Sequence, residues 1–91
     1  MKGIDKLAKL AHKLDTAVSI GATRQMWSVQ ICVCLVDTYV GKDDALIGCC
    51  GRGSTAEEAA KDYIEKIDGE RLIIHPSSKS RKEIIFMAGE L

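Results

Sequence analysis

Between Ser54 and Gly69 the chain carries a nearly complete specification for one amphipathic helix, and the rest of the fold has to be arranged around it. Ala56, Ala59, Ala60, Tyr63, Ile64 and Ile67 recur at helical spacing, with Glu57, Glu58, Lys61, Asp62, Glu65 and Lys66 on the opposite side. Ser54 with Glu57, or Thr55 with Glu58, has the spacing of a capping box, and Gly69 suits the left-handed residue that stops a helix. The run Cys49-Cys50-Gly51-Arg52-Gly53 ahead of it reads as a strand-to-helix corner. Arg52 and the helix-start amides would attract a phosphate, but Glu57 and Glu58 in the first turn oppose an anion there and leave Arg52 as a contact residue.

A second helix is expected near the N-terminus, where Ile4, Leu7, Ala8, Ala11 and Leu14 form a stripe opposite Lys2, Lys6, Lys9 and Lys13. From Trp27 to Leu35 the odd positions are all apolar, which predicts a strand with one core face and one mixed face carrying Cys32 and Cys34. Ala45–Cys50 is a second apolar run, and the polar residues 41–44 predict a turn, so the two runs read as an antiparallel hairpin with Tyr39 exposed in its loop. Arg71–His75 and Glu83–Met87 are the remaining strands, separated by the turn-rich Pro76–Ser80. The order α-β-β-α-β-β predicts a two-layer α+β domain, a mainly antiparallel sheet with helices on one face, and 91 residues make residues 1–91 a single domain.

With 46% apolar and 29% charged residues the composition is that of a folded chain. Its longest apolar run, Ile31 to Val36, falls far short of the roughly 20 residues that span a bilayer, so no membrane span is expected. Lysines interrupt the apolar residues of the N-terminus, so no secretory signal is read there and a cytoplasmic location is expected. In that setting the four cysteines read as buried free thiols with no disulfide.

Cys32 with Cys34 and Cys49 with Cys50 lack the two-residue spacing by which paired thiolates wrap zinc, and strand alternation leaves at most three thiols on one side. No metal and no cofactor is expected. His12 and His75 belong to no nucleophile signature, so no enzymatic activity is expected either. The richest polar segment is Ser77 to Glu83, where three serines, Lys79, Arg81 and Lys82 offer donors to a phosphate, with Arg24 entering the same sheet end.

The thirteen basic and thirteen acidic residues cancel, although the two ends are basic and the middle acidic. A neutral chain lacks the positive footprint of non-specific nucleic-acid binding. The order helix, hairpin, Gly-x-Gly-Ser-Thr and alanine-bearing helix resembles a double-stranded RNA-binding domain. In that family the second helix opens with lysines that straddle the phosphates, and the matching places here are Glu57 and Glu58. That resemblance therefore implies the topology without the RNA binding.

The segment from Ser54 to Phe86 is similar to small phage and prophage accessory proteins with the pattern T-x-E-E-A-x-x-D-Y-x-x-x-I-x-G-x-x-L followed by R-[KR]-E-I. Thr55, Glu57, Glu58, Ala59, Asp62, Tyr63, Ile67, Gly69, Leu72 and Arg81 to Ile84 stand on those positions, about a third of the chain. The resemblance implies a non-catalytic inhibitor of a bacterial antiviral defence system, which binds a protein effector or sequesters a nucleotide signal. The protein-binding version rests on the basic face of the first helix and on Tyr39. The nucleotide version rests on Arg24, Arg52, Lys79 and Arg81, with Trp27 or Tyr39 stacking a base. A nucleic-acid-binding accessory factor and a particle assembly protein are the alternatives, and open sheet edges predict a homodimer or other homo-oligomer.

Overall fold

In chain order the elements are α1 (Gly3–Lys13), β1 (Val18–Gln25), β2 (Ser28–Leu35), β3 (Thr38–Lys42), β4 (Ala45–Ile47), β5 (Gly51–Gly53), α2 (Ala56–Ile67), β6 (Arg71–Ile74) and β7 (Lys82–Ile85). They come from a computed structural model that describes residues 3–90, the side chains of Gln25 and Glu90 excepted. The fold is α+β, and β1, β3 and β5 fill out the expected order. The described strands pair antiparallel in two sheets, ordered β1-β2-β5 and β4-β3-β6-β7.

Helix α2 forms where its apolar stripe and cap require it. Thr55, in extended conformation, caps it by accepting the Glu58 N–H at 3.1 Å, and Glu58 returns to the Ser54 N–H at 3.0 Å. Of the two spacings open in the sequence, Thr55 with Glu58 is the one used. Gly69 ends the helix with φ 77°, a left-handed value that glycine adopts at no steric cost. Helix α1 buries Gly3, Leu7, Leu10 and Ala11, so the stripe is rotated from the expected one: Leu10 enters the core and Ala8 faces solvent. Lys9 and Lys13 are exposed and Lys6 is half-buried, while Lys2 lies outside the described residues.

The hairpin expected between residues 27–35 and 45–50 does not form. β2 instead pairs along its whole length with β1, from Val18 opposite Leu35 to Gln25 opposite Ser28, and β4 pairs with β3. Two-residue turns explain the choice, because each closes a ladder at the smallest loop entropy. In the β3–β4 turn Asp43 and Asp44 both have positive φ, at 48° and 67°, the backbone that turn needs and that aspartate tolerates. Tyr39, expected in an exposed loop, is therefore half-buried in β3 opposite Ile73.

β2 leads into β3 through Val36 and Asp37, which carries one chain across both sheets. Each sheet turns one face to the helices. Val33 and Leu35 from one sheet and Val40, Leu72 and Ile74 from the other join Leu7, Leu10, Leu14, Ala59, Ala60, Tyr63, Ile67 and Phe86 in a single buried cluster. Burial pushes the Tyr63 phenol up to about 12, with a hydrogen bond to the Leu35 backbone pulling the other way. At the joint between the sheets His75, itself at φ 53°, lies 3.1 Å from the Asp37 carboxylate through Nδ1 and 2.8 Å from the Asp15 carbonyl through Nε2.

Candidate functional site

β5 ends at Gly53 opposite Ile31, so the outer part of the β1–β2 hairpin has no third strand beside it and projects as a two-stranded arm. Trp27 is 95% exposed, Met26 84%, Val29 56% and Ile20 54%, although the period-two pattern assigns Trp27 and Val29 to the core face. The reason for this correction is reach: α2 packs on β5 and the inner half of β2, and the arm extends past it. Met26 makes the turn with φ 41°, a left-handed backbone that an unbranched bulky residue adopts only at a cost of about 1–2 kcal/mol. Arg24, Met26, Trp27, Ser28 and Val29 line a shallow recess of about 290 Å³ at this tip.

The arm is almost free of charge. From Thr16 to Val36 its one ionisable cation or carboxylate is Arg24, in a protein with 29% charged residues. It also presents an edge. β1 is an outer strand of eight residues with no proline or lysine, and Ser19 to Arg24 are all exposed. The other sheet edges are blunted in the ways small proteins use to avoid unwanted pairing. β4 has three residues, β7 carries Lys82 and Glu83, and the Arg52 N–H of β5 is taken by the Asp62 carboxylate at 2.8 Å. Lys66, 2.9 Å from Asp62, and that backbone N–H together hold the Asp62 carboxyl below its ordinary range.

The residues expected to gather round one ligand are dispersed. Arg24 and Trp27 share the arm tip, whereas Arg81 lies on the outer face of the second sheet, in a recess of about 430 Å³ with Asp44, Leu46, Arg71, Ile73 and Glu83. There Arg71 and Arg81 approach the Glu83 carboxylate at 3.6 and 3.8 Å. Lys79 stands exposed in the 76–80 turn and lines neither recess. Arg52 projects beside Cys50 and Cys32, which hold its guanidinium above its ordinary value. The Gly51–Gly53 corner is closed to a phosphate, because a Cβ on either glycine would meet the backbone of α2. Ile20, Met26 and Val29 are the site residues that sequence reasoning missed. Their signals were the Val18-Ile20-Ala22 alternation and the missing charges of residues 16–36.

All four cysteines are free and half-exposed rather than buried, with Cys34 and Cys49 packed in part against the core cluster. His75 is engaged by Asp37 and Asp15, and His12 is exposed. Among the described residues no group of three or more His, Cys, Asp or Glu could hold a metal ion, and no helix is long and apolar enough to cross a membrane. Comparison with family models, with curated proteins and with solved structures finds no match to this chain.

Proposed function

We propose that this chain is a non-catalytic binding protein whose β1–β2 arm grips another protein by accepting an extended segment along the free edge of β1. The observation that carries this reading is the combination of an unprotected eight-residue edge with exposed Ile20, Met26, Trp27 and Val29. Main-chain hydrogen bonds would supply affinity and the apolar side chains would supply selectivity. Trp27 is the residue type that anchors interfaces. A nucleic-acid partner is disfavoured, because one arginine cannot neutralise a phosphate backbone. On the reading of residues 54–86 as similar to small phage and prophage proteins, the partner is a bacterial antiviral effector, bound and thereby inhibited.

The test starts from pull-downs out of phage-infected bacterial lysate with the parent protein and with Ile20→Lys and Trp27→Ala. A captured protein is then purified and titrated while hydrogen exchange is followed. The expected result is loss of capture by both variants and slowed exchange of the β1 amides on binding. A partner that ignores both substitutions, or leaves β1 amides unprotected, overturns the reading. Sedimentation of the protein alone distinguishes a second copy on the same edge, which would run at twice 9.9 kDa.

A second reading, sequestration of a nucleotide signal, is favoured by the Arg71 and Arg81 recess. Glu83 lies too far for tight hydrogen bonds to either guanidinium, so both retain donors for a phosphate. Calorimetric titration with cyclic and linear nucleotides decides it: no heat removes the nucleotide reading and leaves the arm.

A further inference from the structure

Just past the end of the β2–β5 ladder lie two thiols, Cys34 and Cys50, that no part of the binding reading uses. Ile31 lies opposite Gly53, Cys32 opposite Arg52 and Val33 opposite Gly51. The ladder ends there, and the same register carried one residue past β5 would set Cys34 opposite Cys50. Directly opposed residues of an antiparallel pair have Cα atoms about 4.5–5.5 Å apart, inside the span a disulfide bridges. Alternation puts Cys34, Cys50 and Arg52 on the same face. Cys49 falls on the other side of the strand by the same alternation, and both Cys34 and Cys49 pack in part against the core cluster.

Two further observations fit this placement. The Arg52 guanidinium lies beside Cys50, which raises it above its ordinary value, so a cation stands near that sulfur. Burial first, and then the charge of Cys50, raise Cys34 above its ordinary value, while a hydrogen bond to Ser19 opposes them. The two sulfurs are therefore neighbours, and both are half-exposed and within reach of a small reagent.

We infer that Cys34 and Cys50 form a thiol-oxidation site that closes to a cross-strand disulfide when the protein meets a two-electron oxidant such as hydrogen peroxide. Cys50, beside Arg52, attacks a peroxide oxygen as its thiolate. A sulfur–oxygen bond forms, the oxygen–oxygen bond breaks, and the sulfenic acid remains with hydroxide as the leaving group. The Cys34 sulfur then attacks Cys50, forming the sulfur–sulfur bond and expelling the sulfenic oxygen. In sum two thiols and one peroxide give one disulfide and two waters. The bridge ties β2 to the segment that enters β5, and thiol reductants reopen it by exchange.

The test uses the folded protein with hydrogen peroxide, followed by thiol counting and peptide mapping. Trypsin cuts after Arg24, Lys42 and Arg52, so the expected product joins the peptide 25–42 to the peptide 43–52, with the four free thiols falling to two. Cys34→Ser and Cys50→Ser lose the joined peptide, whereas Cys32→Ser and Cys49→Ser keep it. In Cys34→Ser a dimedone adduct on Cys50 is expected. Four surviving thiols, a bridge that persists in Cys34→Ser, or a bridge between two chains would each overturn the assignment. A circular dichroism spectrum equal to the parent's is the folding control for each serine variant.

Discussion

The Glu57 carboxylate, in the first turn of α2, accepts the backbone N–H of Gly3 at 2.6 Å. Its other oxygen takes the Ile4 N–H at 3.1 Å. The first turn of α1 is thus capped by a side chain from the other helix, and a capping residue beside Gly3 is not needed. Glu57→Ala is expected to cost about 1–3 kcal/mol, the range for a charged hydrogen bond that leaves its donors unmet. That corresponds to a melting-temperature drop of roughly 4–8 °C per kcal/mol in a domain of this size. Thermal denaturation followed by circular dichroism measures it, with exposed Glu65→Ala as the reference substitution. An equal, small effect of both would remove the capping role.

His75 makes stability depend on pH. Its Nε2 faces a carbonyl of Asp15 that can only accept, and its Nδ1 faces the Asp37 carboxylate, so both contacts are satisfied at once only by the imidazolium. The Asp15 carbonyl first, and then Asp37, raise the His75 value above its ordinary 6.5. A raised folded value means that the stabilisation is fully present below about pH 6.5 and is lost as the pH climbs through the folded value. The melting temperature should therefore fall across that upward range. In His75→Asn, which keeps tolerance of the left-handed backbone, this component of the fall should vanish. Parallel pH profiles of the two proteins would contradict it.

The parts of this fold legible in the sequence are those encoded over a few neighbouring residues. α2, its cap at Thr55 and its stop at Gly69 all follow from helical periodicity and local hydrogen bonding. The pairing of the strands was not legible, because the turns that decide it hide in unremarkable residues. Met26 and Trp27 close β1 on β2 without the glycine or asparagine that announces such a turn. The site suffered for the same reason. Trp27 was noticed as an aromatic, but its exposure depends on where β5 ends and how far α2 reaches, and those facts are not local.

Partner binding should respond to the arm in a graded way. Trp27→Ala removes the largest exposed side chain and is expected to weaken a protein partner by about 2 kcal/mol or more, roughly thirty-fold in Kd. Its melting temperature should stay near that of the parent, because exposed substitutions usually change stability by less than about 0.5 kcal/mol. Trp27 is the single tryptophan, so its fluorescence is a direct readout. Burial by a strand-adding partner should shift the emission to shorter wavelength. An unshifted spectrum at saturating partner would mean that the arm tip stays in water and is not the contact.

Of the eight glycines, Gly51 leaves the least room for a Cβ. It lies opposite Val33 on the face that meets α2, and a Cβ there would strike the Ala59 carbonyl oxygen, the Tyr63 backbone nitrogen and the Tyr63 Cβ. Two of those atoms belong to helix backbone, which cannot rotate aside as a side chain can. Gly51→Ala must therefore lift α2 from β5, and it is expected to exceed the roughly 1–3 kcal/mol of ordinary overpacking. Gly48→Ala is the matched control, because its added Cβ meets nothing within 4 Å and its φ is not left-handed. It should be neutral, or stabilising by about 0.4–1 kcal/mol through the unfolded chain. Tyr63 supplies a second, local readout. In the parent burial pushes its phenol up to about 12, and ultraviolet absorbance against pH follows that group. If α2 lifts in Gly51→Ala, Tyr63 meets water and its titration moves down toward the free phenol's value of about 10. A variant that melts like the parent and keeps its high-pH tyrosine would show that β5 and α2 are not packed backbone to backbone.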